Sequence, residues 1–381
     1  MPNPSAFLPG PTGLGTSAAR LFAQPAGGPA VPQDLGCVPG PRTVRQPPLV
    51  FTQRPWADGS MPALYCPLAV RVDHALGEVV NERLVEWAEK IGLHEGRIET
   101  FRQTGFGHLV TLAHPDVDDP DRLLLAGQMN AAWWACDDYY ADETELGADP
   151  ELLAGRLALA MSAMDAPPPA DEFGEELEAQ LKSDPVLVSL TSAREHVAVH
   201  STPSQLARVN LTSFQMWVSW NAYGAWRQSG QPVEAWRYLA ARQHDSFYTS
   251  MTLSDIVGGY EVPGNLFYEE RVHRAAMRAG TAAVIVNDLH SALREAADEL
   301  PDCNIVLLAA AERGCTLREA AERAVALHND IVAAFEADCD ELRAVPSPEL
   351  HHFLWALGGW LGGGLEWHGT TNRYTTTEPA E

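Results

Sequence analysis

The chain has 381 residues, 46% of them hydrophobic, which is room for one large domain or two modest ones with a sizeable core. Its formal net charge of -25 argues against a nucleic-acid partner, because phosphate backbones recruit Lys and Arg. A small anionic substrate stays compatible with that charge if metal ions supply the positive side. Cys37, Cys66, Cys136, Cys303, Cys315 and Cys339 are scattered without a C-x-x-C pair, as expected of reduced thiols. No signal-peptide pattern and no membrane-length apolar run is found, so the expected location is cytoplasmic, with no membrane partner.

Residues 1–60 hold 12 of the 28 prolines and 8 of the 30 glycines, but only two acids, Asp34 and Asp58. Such a stretch buries too little apolar surface to offset chain entropy. It reads as a disordered Pro/Gly-rich leader, with the folded domain over 61–381. Gly13-Leu14-Gly15-Thr16-Ser17-Ala18 fits a dinucleotide-binding G-x-G-x-x-A pattern, but Pro9 and Pro11 flank it and no strand precedes it, so it is read as part of a flexible tail.

Beyond residue 61 the apolar spacing is helical. Helices are predicted over 79–91, 122–140, 204–227, 234–257, 271–300 and 317–345, with boundaries at Pro150, Pro185, Pro203, Pro232, Pro263, Pro301 and Pro346. Strand-like alternation is scarce. The expected fold is an all-α bundle around one central cavity. The acids Asp116, Asp118, Asp119 and Asp121 read as a solvated turn capping the next helix, His196 and His200 as an ordinary helix face, and Gly362, Gly363 and Gly364 as a site of close packing.

Two acidic stretches carry the chemistry. The first is Asp137-Asp138-Tyr139-Tyr140-Ala141-Asp142-Glu143, at the end of a strongly apolar helix; Asp138 and Asp142 are one helical turn apart. The second contains Asn287, Ser291 and Glu295. At i, i+4 and i+8 these form a column of three oxygen ligands on one helix face. Oxygen ligands suit a hard cation such as Mg²⁺, which takes few protein ligands and shares the rest with phosphate and water.

Together the two stretches resemble the aspartate-rich motif and the N-S-E triad of class I terpene synthases. The resemblance covers about residue 61 to the C-terminus and implies a Mg²⁺-dependent cyclase of an isoprenoid diphosphate. It implies that Asp137 bridges two metal ions and that Asn287, Ser291 and Glu295 hold a third. It also implies a diphosphate-sensing Arg242, with Asp245 and Ser246 following it at a helix break. Arg294, beside the triad, and the terminal Arg373-Tyr374 pair would bind the diphosphate as well.

One departure matters: the common motif is D-D-x-x-D or D-D-x-x-E, but position 141 is Ala, and Asp142 and Glu143 come one and two residues late. Which of Asp138, Asp142 and Glu143 joins Asp137 is therefore left open. Trp133 or Trp134, Phe214, Trp217, Tyr223 and Trp360 are candidates for an aromatic wall facing a carbocation. Family members are often dimers, which makes a homodimer the expected assembly.

Tyr65-Cys66-Pro67, the run from Asn81 to Glu89, the acids from Asp116 to Asp121 and the run from Arg242 to Met251 resemble, within that family, bacterial cyclases of 2-methylgeranyl diphosphate that make a bornane-type alcohol. Still open are the methylene hydrocarbon from the same substrate, a cyclase of unmethylated geranyl or farnesyl diphosphate, and a non-catalytic protein that binds an apolar ligand. A chain-elongating prenyltransferase would need two full D-D-x-x-D motifs.

Overall fold

The computed structural model describes residues 46–57, 59–142, 144–168, 170–230, 232–296 and 303–371. Contacts divide the chain into residues 1–43 and 44–381, and every described residue belongs to the second unit.

The described chain opens with two short strands, β1 (Phe51–Arg54) and β2 (Leu64–Pro67), paired antiparallel with Phe51 opposite Pro67 and Arg54 opposite Leu64. Then come α1 (His74–Ile91), α2 (Ile98–Thr104), α3 (Phe106–Ala113) and α4 (Pro120–Cys136). A π-helical turn over Asp137–Asp142 and a 3₁₀ turn over Thr144–Leu146 lead into α5 (Pro150–Met164), α6 (Asp171–Ser183), α7 (Pro185–His200) and α8 (Pro203–Ser229). Next are α9 (Ala235–Arg242), three short helices, α10 (Tyr248–Met251), α11 (Ser254–Gly258) and α12 (Gly264–Phe267), and the long α13 (Glu270–Glu295). The last three are α14 (Ile305–Arg313), α15 (Leu317–Leu342) and α16 (Pro348–His368).

Local chemistry starts these helices. Asp119, Asp149, Asp184, Thr202 and Ser347 each precede a proline at the first helical position, and each side chain accepts a backbone N–H two or three residues on. A polar cap satisfies an orphan donor, worth about 1 kcal/mol each, and proline fits where its missing N–H has no partner. The acids at 116–121 behave as expected: Asp119 caps α4, while Asp118 and Asp121 pair with Arg71 and Arg83.

α13 is the central helix. Its run Ala275, Ala276, Ala279, Gly280, Ala282 and Ala283 is buried, because α15 and α16 pack along it and α10 and α14 close it at the sides. Small residues let these helices approach. A Cβ on Gly280 would lie 2.6 Å from the Tyr248 backbone nitrogen, and one on Gly363 would lie 2.3 Å from the Leu112 carbonyl oxygen. The close packing expected of the glycines near residue 363 is therefore that of α16 against α3.

Two expectations change. Residues 51–54 fall in the stretch that composition marks as leader, yet they form β1. Arg54 donates to Glu366 at 2.6 Å and to the Gly362 carbonyl at 3.4 Å, and Trp355 donates to the Pro47 carbonyl at 2.7 Å. These anchors lie some 300 residues away in sequence, beyond the reach of a local composition count. The helix that apolar spacing predicts over 234–257 is interrupted after Arg242, where the family resemblance implies a break. Asp245, Ser246 and Phe247 turn the chain before α10, with Ser246 Oγ accepting the Tyr248 N–H at 3.2 Å.

Candidate active site

A cavity with about 990 Å³ of space free of atoms, part of it at the open mouth, sits between α4, α8, the break after α9, and α13. Each wall follows from helix or turn geometry. Met216, Trp220, Tyr223 and Arg227 are a stripe at i, i+4, i+7 and i+11 on α8, and all four line the cavity. Val284, Asn287, Ser291, Arg294 and Glu295 form the facing stripe on α13, so the expected oxygen column does present one face to the cavity.

The remaining wall is the end of α4. Trp133 and Trp134 lie on it, and the π-helical turn that follows carries Asp137 and Asp142, which also line the cavity. A π turn accommodates an extra residue per turn, with i→i+5 in place of i→i+4. Two acids five apart can thus share one face, where an α turn would present Ala141 instead. Asp138 is not among the lining residues. The turn is held from three sides. Tyr140 donates to Asp184 at 2.6 Å, Arg156 donates to the Tyr139 carbonyl at 3.4 Å, and Arg227 donates to the Ala141 carbonyl at 3.0 Å and to Asp142 at 3.3 Å.

The break after α9 supplies Arg242, Asp245, Ser246 and Phe247. Arg242 Nη1 donates to Asp245 Oδ2 at 2.5 Å; its Nη2 donates to Asp288 Oδ1 at 2.7 Å and to Asn287 Oδ1 at 3.1 Å. The other Asp245 oxygen accepts the Trp220 indole N–H at 2.9 Å. Asp288 is buried, and its second oxygen accepts the Tyr238 hydroxyl at 2.8 Å and the Ile305 backbone N–H at 3.1 Å. Burial works against the charge on Arg242, yet Asp288, Tyr238 and Asp245 outweigh it and hold the group firmly protonated.

Aromatic rings fill the rest. Trp133 donates to Ser213 Oγ at 3.0 Å. Phe247 lies 5.7 Å from Trp134 and 4.7 Å from Trp360 between ring centroids. Of the expected aromatic candidates, Trp133, Trp134 and Tyr223 line the cavity. Phe214 and Trp217 do not. They sit off the 216–220–223–227 stripe and pack against each other, 5.7 Å apart, with Trp217 in the core. Trp360 backs Phe247 from behind. Arg373, Tyr374 and Glu143 lie outside the described residues.

Sequence reasoning missed Trp220, Arg227, Phe247 and Asp288. Trp220 and Arg227 were findable as continuations of the α8 face. Asp288 sits inside the second motif but points to Arg242 instead of the oxygen column.

The donors fit a hard cation. Asp137, Asp142, Asn287, Ser291 and Glu295 offer oxygen only. Mg²⁺ usually takes few protein ligands and shares its shell with phosphate and water. Burial, and then the neighbouring Asp288, push the Glu295 carboxyl above the usual carboxylate range. A bound cation would relieve that cost.

A family model described as "Terpene synthase family 2, C-terminal metal binding" matches residues 128–334, a span holding both acidic walls and the Arg242 break. The chain belongs to the terpene synthase family. It is 33% identical to a 2-methylisoborneol synthase of Streptomyces ambofaciens over 97% of this chain and 81% of that protein. Against a 2-methylisoborneol synthase of Streptomyces coelicolor the identity is 34%, with the same shares covered. A crystal structure of 2-methylisoborneol synthase from Streptomyces coelicolor A3(2), in complex with Mg²⁺ and 2-fluoroneryl diphosphate, superposes with a TM-score of 0.79 at 33% identity, covering 83% of this chain and 98% of that one. Among the described residues no helix is long and apolar enough to cross a membrane.

Proposed function

We propose that this terpene synthase is a Mg²⁺-dependent cyclase that converts 2-methylgeranyl diphosphate to 2-methylisoborneol with release of diphosphate. The observation that carries the reading is that Asp137 and Asp142 on one wall, and Asn287, Ser291 and Glu295 on the other, line the same aromatic cavity as Arg242. The relatives named 2-methylisoborneol synthase, and the Mg²⁺ and diphosphate-analogue complex of one of them, support the substrate class and the product.

Asp137, with Asp142, and the column Asn287–Ser291–Glu295 would hold the metal, for which three ions are expected. When bound, the metal supplies charge that neutralises the diphosphate and makes it a good leaving group. Arg242 and Arg294 would donate charge-assisted hydrogen bonds to the diphosphate oxygens as the allylic C–O bond breaks and the leaving group takes the electron pair. Asp245 and Asp288 keep the Arg242 fork aimed.

Trp133, Trp134, Trp220, Tyr223 and Phe247 face the hydrocarbon end. Their rings exclude stray water and stabilise the migrating cation by roughly 0.5–2 kcal/mol each. One water must add to the final tertiary cation and lose a proton to give the alcohol.

Incubation of the purified protein with MgCl₂ and, separately, 2-methylgeranyl, geranyl and farnesyl diphosphate, with products read by mass spectrometry, tests this. The expected result is 2-methylisoborneol from the methylated substrate. A hydrocarbon as sole product, or preferred turnover of an unmethylated substrate, would overturn the product assignment, and no diphosphate release from any substrate would overturn the activity.

A further inference from the structure

Asn304 lies between α13 and α14 and is 1% exposed. Its Oδ1 accepts the Val306 backbone N–H at 2.8 Å, which makes it the N-cap of α14. Its Nδ2 donates to the Asp288 carbonyl at 2.9 Å, to Ser291 Oγ at 3.2 Å and to Glu295 Oε2 at 2.8 Å. One amide thus caps one helix and grips two of the three oxygens in the column on another. The next residue adds a second fastening, since the Ile305 N–H reaches Asp288, the same carboxylate that holds Arg242.

We propose that Asn304 is a positioning residue for the α13 metal site: it orients Ser291 and Glu295 for the cation without touching metal or substrate. This rests on the metal reading given above. Three arguments support it. A glutamate side chain is long and loses rotamer freedom when a metal fixes it, and a donor that already fixes it lowers that loss. Ordinary carboxylate ligands keep outer hydrogen bonds, and removing such partners typically weakens metal binding by 10- to 100-fold. The donor is also neutral. An Arg or Lys in its place would repel the incoming cation, whereas an amide orients the carboxylate and leaves its charge for the metal. Because the amide is locked by its own cap, the orientation is present before metal arrives.

The test uses Asn304→Ser and Asn304→Thr. Both keep an oxygen that can cap α14, so both should fold. Neither hydroxyl side chain is long enough to reach Glu295 while it caps α14. Melting temperature is followed as MgCl₂ is titrated in the presence of inorganic diphosphate, which reads binding without turnover, and the Mg²⁺ dependence of kcat is measured alongside. Both variants are expected to melt somewhat lower than the wild type without metal, because Glu295 loses a buried donor, and to need at least about 10-fold more Mg²⁺ to reach the midpoint of stabilisation. A Mg²⁺ midpoint within twofold of the wild type in either folded variant would overturn the proposal, including where the metal-free melting temperature drops, since Asn304 would then be a helix cap only. Glu295→Gln serves as the reference for a lost ligand. If the wild type itself shows no Mg²⁺-dependent stabilisation, the metal reading fails, and this inference falls with it.

Discussion

The Arg242 guanidinium donates to Asn287 Oδ1 at 3.1 Å, so the group assigned to the diphosphate rests on an oxygen assigned to the metal. The same fork is held by Asp245 at 2.5 Å and Asp288 at 2.7 Å. On the proposed reading, a diphosphate that drew Arg242 toward itself would break the hydrogen bond to Asn287.

Arg242→Lys keeps the charge but cannot span Asp245, Asp288 and Asn287 at once. It is expected to lower kcat at least about 100-fold, within the range seen when a preorganised donor is lost. Arg242→Met should in addition lower the melting temperature, because it strands two buried carboxylates. Steady-state kinetics and thermal unfolding separate the two effects. Wild-type kcat in Arg242→Lys would contradict the assignment.

The π turn makes a distinction that the motif alone does not. Asp142 lines the cavity and Asp138 does not. Asp142→Asn is expected to cost roughly 10- to 100-fold in activity or Mg²⁺ affinity, and Asp138→Asn only a few-fold. Arg227→Gln should reproduce part of the Asp142 defect by loosening the turn. Mg²⁺ titrations of turnover for the three variants check the order.

Removing residues 1–58 takes away β1 and the Arg54 contacts with Glu366 and the Gly362 carbonyl. Lost ladder and side-chain hydrogen bonds should cost on the order of 2 kcal/mol or more. The truncated protein is expected to melt several degrees lower than the full chain by circular dichroism. Equal melting temperatures would show that β1 adds nothing to stability.

Acid should destabilise the fold through buried histidines. Burial pushes His114, His290 and His328 down to about 4 and His368 to about 3, against an ordinary value of 6.5. The unfolded chain therefore binds more protons between pH 6.5 and 4. Their contribution is fully present above pH 6.5 and is lost as pH falls through that window, at about 1 kcal/mol per pH unit per histidine. Asp255, pushed up to about 6 by burial, and Glu295, also raised by burial, act in the opposite sense but are two groups against four. The melting temperature is expected to fall steadily from pH 6.5 to 4.5, and His328→Gln should flatten the slope. A melting temperature that stays level over that range would contradict the neutral state of these rings.

The legible parts of this site were those with local periodicity. Asn287, Ser291 and Glu295 sit four apart on a regular helix, so their shared face could be read directly. Asp142 was ambiguous because nothing in D-D-Y-Y-A-D announces a π turn; Arg227 and Arg156 hold that turn from other elements. Phe214 and Trp217 were misplaced because α8 carries aromatics on more than one face, and only tertiary packing selects the stripe through Trp220. Asn304 was invisible because its role depends on α14 folding back against α13. The strand at 51–54 was hidden by proline-rich neighbours and by partners some 300 residues away.

The central claim is that two helical walls grip one diphosphate through shared Mg²⁺. Crystals grown with MnCl₂ and inorganic diphosphate test it most directly, because anomalous scattering locates each Mn²⁺. The expected map shows peaks at Asp137 and at Asn287–Ser291–Glu295, flanking a single diphosphate beside Arg242. Peaks on one wall alone, or a diphosphate bound away from both, would contradict it.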